Sequence, residues 1–454
     1  MKTDIKNKTK KHKNILLLDF AQETNSGDAA MQMSIQSLAK KFFPDSILNI
    51  STVFGFNQFP EATSQFSYAS QDVAISKIVG GIHPTYYTLN SGSKKGGKFK
   101  KIVTLLTTLL TLLFIKFKLF RFLFKKVIPK SLQETFEVYE KADFIIWNGR
   151  NFRGGGNWAS DIYKIIVLYL NPLFCIMLNK PMVCVGASVW KMDNYLSIKI
   201  TRYVFKKCLF VSVRESQSYE IVKNMMGSDF SSNRLFYFPD LSLYTLKKRS
   251  QNFERKKQDE NLIGLTVVSE REIGDSELNS TYINSVSYLV QYLYKKGFKI
   301  TVVPQVTFNP EDSDKNTERI RKISDVPSSH FSVTKQELDV DGLLEIYADM
   351  SFIIASRMHS AIFALNVCTP AIALAYDEGS KWKILEDIGM PQSQIINVSK
   401  LPTVSLEKEF NDAWERRDNV MTKVNNNLDK YLYEDTEKHF VYARKFYDKY
   451  FQKK

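Results

Sequence analysis

The 454-residue sequence predicts an α/β protein of two doubly wound, Rossmann-like lobes facing a cleft. Three observations carry this. Short apolar runs alternate with amphipathic helical stretches, as parallel strands and their crossover helices do. These runs end in loops rich in Asn, Gly, Ser or Arg. A charged stretch at 247–260 (KKRSQNFERKKQDE), with almost nothing apolar to bury, reads as a linker that divides the pattern in two. The 44% hydrophobic and 24% charged fractions are those of a globular chain.

The first lobe is assigned to 14–246. Residues 14–20 (NILLLDF) form an apolar strand that leads through a polar loop to a helix over 29–43. Met31, Ile35, Leu38, Ala39 and Phe42 recur there at helical spacing, with Asp28 as the expected N-cap. Residues 143–147 (DFIIW) give a second strand, and a helix over 161–178 follows. Further strands fall at 181–186 (PMVCVG) and 209–213 (LFVSV). The second lobe, 261–395, repeats the pattern, with strands at 261–268, 299–304, 351–355 and 370–375 and helices at 281–296 and 357–365. The remainder, 396–454, is a polar helical tail expected to pack back over the lobes.

The formal charge of +15 invites a nucleic-acid reading, which its distribution excludes. Residues 1–14 carry +5 and residues 94–130 carry +11, leaving the body at −1. A nucleic-acid reader spreads its cations over a groove of folded elements. The uncharged run 102–115 makes about 21 Å of helix against about 30 Å of hydrocarbon, so it does not span a bilayer. Thr104, Thr107, Thr108, Thr111, Lys118, Arg121 and Lys125 share one side of a helical wheel. The segment 94–130 is therefore expected to be a basic amphipathic helical insertion in the first lobe, lying on an anionic membrane surface. The alternative is a helix buried against the protein itself or a partner chain. Four scattered cysteines without a CxxC pair argue against a disulfide framework or zinc site, and no metal is expected. Without a secretory signal, the expected location is cytoplasmic, peripheral on the inner face of the membrane.

Three constellations at strand ends carry candidate chemistry. Asn25-Ser26-Gly27-Asp28 opens the first helix, where free amides suit anions or polar hydroxyls and Asp28 favours a sugar hydroxyl over a phosphate. A plain helix cap is the alternative. Arg153-Gly154-Gly155-Gly156-Asn157 admits a ligand close to the backbone, but lacks the GxGxxG spacing and acidic ribose partner of a dinucleotide site. A flexible turn explains it equally well. Ser356-Arg357-Met358-His359-Ser360 is the strongest. It sets a guanidinium, suited to carboxylate or phosphate, two residues from an imidazole suited to proton transfer. Arg214, at the end of 209–213, is a second candidate cation or an ordinary ion-pair residue.

Taken in order, these motifs resemble the polysaccharide pyruvyl transferase family. The match runs through Asn25-x-Gly27-Asp28, Gly154-Gly155-Gly156 with Asp161, Val213-Arg214-Glu215, Phe238-Pro239-Asp240, Pro304-Gln305 and the Ser356–Ser360 block. It ends in the run 370–376 with Lys381, so it covers residues 14 to 390. The resemblance implies a GT-B-like fold and a phosphoenolpyruvate donor, with no further cofactor. It implies transfer of the enolpyruvyl unit to sugar hydroxyls, commonly ending as a pyruvate ketal in exopolysaccharide biosynthesis. By resemblance, His359 is the candidate catalytic acid, while Asp28 and Asp161 are candidates to orient or deprotonate acceptor hydroxyls, with a cap of the following helix as the alternative for Asp161. Arg214, Arg357, Ser356, Ser360 and Lys381 are donor-binding candidates. Asn25, Gly27, Gly154, Gly155, Gly156 and Asn157 line the acceptor side. The first lobe is the expected acceptor lobe and the second the donor lobe. The family pattern lacks the 94–130 insertion, which points to a lipid-linked glycan acceptor. A nucleotide-sugar-dependent GT-B glycosyltransferase and a non-catalytic membrane-bound scaffold are the competing classes.

Overall fold

A computed structural model describes residues 13–21, 25–55, 73–82, 130–152, 158–192, 194–251, 259–306, 310–334, 338–401 and 404–452. The expected insertion 94–130 lies, but for Lys130, outside the described residues.

Two parallel sheets form the frame. Among the described residues the first holds β1 (Asn14–Phe20), β2 (Ile47–Gly55), β3 (Lys77–Gly81), β4 (Phe144–Asn148), β5 (Asn151–Phe152), β6 (Met182–Val189), β7 (Val211–Val213) and β8 (Leu235–Tyr237). Their order is β3-β2-β1-β4-β6-β7-β8, with β5 paired to β6. The second holds β9 (Asp259–Thr266), β10 (Lys299–Val302), β11 (Phe331–Val333), β12 (Met350–Ala355), β13 (Ala371–Ala375) and β14 (Ile395–Asn397), in the order β11-β10-β9-β12-β13-β14. The central strands are apolar because helices cover both faces: β4 and β12 are buried throughout. In each sheet the strand order reverses at one point, between β1 and β4 and between β9 and β12. Open α/β sheets bind ligands outside the strand carboxyl ends at such points.

The two carboxyl-end faces meet directly. Asn25 bridges Val306, and Ser26 donates its backbone N–H to the Gln305 carbonyl at 3.4 Å. One apolar cluster joins both lobes. It contains Ala29, Ala30 and Met33 of the helix Ser26–Phe42, Leu243 and Leu246 of the helix Ser242–Ser250, and Ile362 and Leu365 of the helix Met358–Asn366.

The structure corrects two details of the expected pattern. The first helix starts at Ser26, and its N-cap is Asn25, whose side chain accepts from Gly27 N at 3.2 Å. Asp28 instead lies in the first turn, where a carboxylate complements the helix dipole. The expected linker is also shorter, because Lys247–Arg249 end the helix Ser242–Ser250 and Asp259 opens β9. Those cations favour a helix C-terminus, and Arg249 pairs with Asp341 at 2.6 Å across the lobes.

The tail visits both lobes in turn. Phe410 and Trp414 of the helix Leu406–Glu415 pack on Phe352 and Phe298 of the second lobe. The helix Tyr433–Gln452 then sets Phe440 and Ala443 into the first lobe's core beside Phe43, Phe144 and Phe210. Among the described residues, no helix is long and apolar enough to cross a membrane.

Candidate active site

The strand carboxyl ends bring most of the expected residues together. β1 leads to Asn25, Gly27 and Asp28, β7 leads to Arg214, and β12 leads to Ser356, Arg357, His359 and Ser360. Asp161 lies on the helix Trp158–Met177. Its side chain, together with Gly154, Gly155, Gly156 and Asn157, falls outside the described residues.

Gly27 and His359 are in intimate contact from opposite lobes. A Cβ on Gly27 would come within 3.0 Å of Nδ1, Cγ and Cβ of His359. Only glycine admits the imidazole against the start of this helix. The Nε2 of His359 is buried and has no hydrogen-bond partner among the described residues. Burial lowers the His359 pKa to about 4, against the pull of the Asp240 carboxylate, with Arg214 and Lys381 pushing further down. It is therefore a neutral imidazole at neutral pH.

The cations expected to hold a donor are already engaged. Arg214 is buried, and its Nη1 donates to Asp240 Oδ2 at 2.9 Å and its Nη2 to Asn151 Oδ1 at 3.0 Å. Glu215 adds a second carboxylate at 3.7 Å. Desolvation acts to lower the Arg214 pKa, but Asp240, Glu215 and Asp28 outweigh it and raise the pKa. Arg357 grips Glu272 bidentately, at 2.9 and 2.6 Å. Lys381 is 2.9 Å from Asp377 and donates to the Tyr376 hydroxyl at 2.8 Å. It also lies over the rings of Tyr376 and Trp190. Ser356 shares a hydrogen bond with the Tyr282 hydroxyl at 2.8 Å, and Ser360 donates to Gln305 Oε1.

Arg150, in the turn after β4, differs from these cations. Its Nη1 is buried with no hydrogen-bond partner, and it has no ion pair among the described residues. It acts only at longer range, on Asp28 and Asp19. Desolvation raises the Asp28 pKa, with Arg150 and Arg214 pulling it back. Asp19 is pushed up to about 6 by burial, although Asn171, Arg150 and Trp147 oppose this. Gln305 Nε2 and Asn148 Oδ1 are likewise buried without a partner. A buried polar group left unsatisfied costs about 1–3 kcal/mol, so such groups beyond strand carboxyl ends are where a ligand would gain hydrogen bonds. Sequence reasoning passed over Arg150 for the glycines that follow it. The available signal was its place at the end of β4, next to the switch point.

Deeper still, His439 of the tail helix accepts or donates at Nδ1 with the Ser212 hydroxyl at 2.7 Å and reaches the Pro239 carbonyl with Nε2 at 2.9 Å. A carbonyl only accepts, so Nε2 carries the proton and Nδ1 accepts from Ser212. Burial lowers its pKa to about 4. The tail thereby fixes the turn that holds Asp240.

A family model described as polysaccharide pyruvyl transferase matches residues 25–378, a stretch that contains every residue of this site from Asn25 to Asp377. The chain belongs to the polysaccharide pyruvyl transferase family. It is also 21% identical over 313 residues to the amylovoran biosynthesis protein AmsJ of Erwinia amylovora, covering 65% of this chain and 71% of the relative. A member of this family is a transferase of polysaccharide biosynthesis. Solved structures agree on the fold. The UDP-GlcNAc 2-epimerase of Neisseria meningitidis, bound to UDP-GlcNAc, superposes with a TM-score of 0.54 at 12% identity, covering 95% of this chain and 99% of that one. The S. aureus MnaA–UDP structure gives 0.56 at 13% identity, covering 96% of each chain. At such identities the likeness establishes two Rossmann-like lobes of the GT-B type and nothing about the ligand.

Proposed function

We propose that the protein transfers the enolpyruvyl unit of phosphoenolpyruvate to two hydroxyls of a lipid-linked glycan, forming a pyruvate ketal. The observation that carries this reading is the pair of buried, unpartnered groups at the two switch points, Arg150 Nη1 and His359 Nε2. Phosphoenolpyruvate places a phosphate and a carboxylate on three carbons, and it needs compact positive charge beside a proton-transfer group. Arg150 supplies a cation not already spent. The donor carboxylate has the same shape as that of Glu272, so it can replace Glu272 on Arg357 without leaving the guanidinium unpaired. Arg214 serves as a positioning residue that holds Asp240 near His359. Lys381, Ser356 and Ser360 complete the donor side in the second lobe.

The chemistry balances with two acceptor hydroxyls. A proton adds to the methylene carbon, which becomes the methyl group and makes C2 electrophilic. One hydroxyl oxygen bonds to C2, the second follows, and the C2–O bond to phosphate breaks. Of the two hydroxyl protons, one accounts for the new methyl hydrogen and the other departs with phosphate. His359 is the acid of this sequence. The negative charge of the bound donor raises the His359 pKa from its buried value and so favours the protonated form when the substrate is in place. Asp28, with its raised pKa, orients and deprotonates an acceptor hydroxyl, and Asp161 shares that role. The arginines stabilise the phosphate charge, so the reaction needs no metal or further cofactor. The acceptor sits on the first lobe, and the protein works at the inner face of the membrane, with 94–130 on anionic lipid.

Purified protein incubated with phosphoenolpyruvate and lipid-linked glycans should release phosphate in an acceptor-dependent way, and His359→Ala should abolish it. Turnover with nucleotide sugars alone would establish a glycosyltransferase instead.

A further inference from the structure

We infer that the exposed face of the helix Tyr195–Lys207 is a docking surface for an anionic lipid bilayer, separate from residues 94–130. The inference deepens the membrane-side reading above and rests on it only for what the docked protein acts upon.

The helix has one committed face. Asn194 caps its start, with Oδ1 accepting from Leu196 N at 2.9 Å. Ser197, Thr201, Val204 and Phe205 are buried, and the Phe205 ring packs on Trp147 and Phe152. Its rotation is therefore fixed. The opposite face presents Tyr195 at 75% exposure, Tyr203 at 48% and Leu196 at 42%. Interleaved with them are the exposed cations Lys199, Arg202, Lys206 and Lys207. At 100° per residue these seven side chains fall within about 140° of arc.

Three arguments select lipid as the occupant. The helix holds no Asp or Glu, so the charge of this face is uniformly positive. Lys206 and Lys207 complement the helix C-terminus, but Lys199 and Arg202 lie too far from it for that explanation. The apolar part consists chiefly of tyrosines, whose rings combine an apolar body with a polar tip and suit the headgroup level of a membrane. The Lys199 and Lys207 ammoniums lie 5.9 and 5.8 Å from the Tyr195 and Tyr203 ring centroids, which sets rings and cations at one depth. Finally, such side chains are concentrated here. Three of the eight exposed large apolar residues among those described belong to this one helix. The exposed carboxylate of Glu220, on the adjoining helix Ser216–Met226, is paired with Lys223 at 3.3 Å.

Position gives the surface a purpose. The helix begins five residues after Trp190, whose ring lies against Gly379 and over Lys381 at the edge of the site. A bilayer touching Tyr195 therefore approaches the first lobe on the side where its strands end and the cleft opens. A lipid-borne acceptor would need to travel only a short distance to reach it.

The test is flotation of the full-length protein with phosphatidylcholine vesicles, with and without phosphatidylglycerol. The parent should float only with the anionic vesicles. A basic residue at an anionic surface is worth about fivefold in partitioning, so Lys199→Glu/Arg202→Glu/Lys206→Glu should weaken binding by about a hundredfold or more. Tyr195→Ser/Tyr203→Ser should weaken it as well, while both variants keep the parental melting curve. As a direct readout, a Tyr203→Trp indole should be quenched by brominated phosphatidylglycerol. Unchanged flotation of the triple variant, or no such quenching, would overturn the inference. Loss of heparin binding with vesicle binding intact would also overturn it, by assigning the face to a soluble polyanion. Phosphate release on a water-soluble acceptor fragment should persist in the triple variant. If the parent floats but no acceptor supports turnover, the docking surface stands and the pyruvyl transfer reading fails.

Discussion

Replacing Gly27 by alanine perturbs the site through one methyl group. In the first turn of an ordinary helix the change would stabilise by up to about 1 kcal/mol, since alanine has the higher helix propensity. Here the new Cβ would fall within 3.0 Å of Nδ1, Cγ and Cβ of His359, whereas ordinary contact begins near 3.4 Å. The imidazole has to retreat by about 1 Å. Overpacking of this kind costs about 1–3 kcal/mol, so the steric term wins and the melting temperature should fall slightly or stay level. Activity should fall much further, because a displacement of about 1 Å in a reacting group costs on the order of a hundredfold. The assay is donor-dependent phosphate release, with thermal melts on the same preparations. The control is Gly27→Ala/His359→Ala. With the ring gone, the alanine should recover its propensity gain and melt at or above His359→Ala alone. A Gly27→Ala protein with parental kcat, or a double variant less stable than His359→Ala, would refute the contact and the role it gives His359.

Other substitutions separate binding from structure. Arg150→Ala removes one charge-assisted contact worth about 1.5–3 kcal/mol, so the donor KM should rise by roughly ten- to a hundredfold with little change in melting temperature. Arg214→Met strands the buried carboxylates of Asp240 and Glu215 and should cost about 3–5 kcal/mol in denaturant unfolding. The two buried histidines also make stability pH-dependent. Each has a folded pKa of about 4, below the ordinary 6.5, so the unfolded chain takes up protons first as the pH falls. Stability is lost from about pH 6.5 down to about pH 4, by roughly 3 kcal/mol per histidine. Asp19, raised to about 6, works the opposite way and costs stability as the pH rises from about 4 to 6. His439→Gln keeps polar partners for Ser212 and Pro239 and removes one histidine's share. Its denaturation midpoint should depend less steeply on pH than the parent's across that window, and parallel curves would contradict the assignment.

How much of this was legible in the sequence depends on burial. β1, β4 and β12 were found within a residue or two because parallel strands covered on both faces must be continuously apolar. β2 escaped because Asn49, Ser51 and Thr52 interrupt its apolar run, yet all three are buried. Ser51 hydrogen-bonds Tyr139 at 2.7 Å, a partner 88 residues away that local pattern cannot supply. β8 and β11, at three residues each, are too short to show any period.

The site divides along the same line. Residue type and strand-end position pointed to His359, Arg357, Arg214 and Asp28, because a Rossmann-like sheet places chemistry there whatever the chemistry is. Which cations remain available to a ligand is a different question, decided by long-range pairing. Arg357 is answered by Glu272, 85 residues earlier, and Arg214 by Asp240, on the next strand's end. Lys381 is answered within its own turn, by Asp377. Arg150 had the weakest motif around it; like Arg214 it has a buried nitrogen without a hydrogen bond, but unlike Arg214 it has no ion pair among the described residues. The buried Arg214 needs its carboxylates to offset desolvation, so it builds the site, whereas the half-buried Arg150, with no ion pair among the described residues, is the cation free to meet an anion. If that division is right, the donor KM should respond more strongly to Arg150 than to Arg214, and stability should respond in the reverse order.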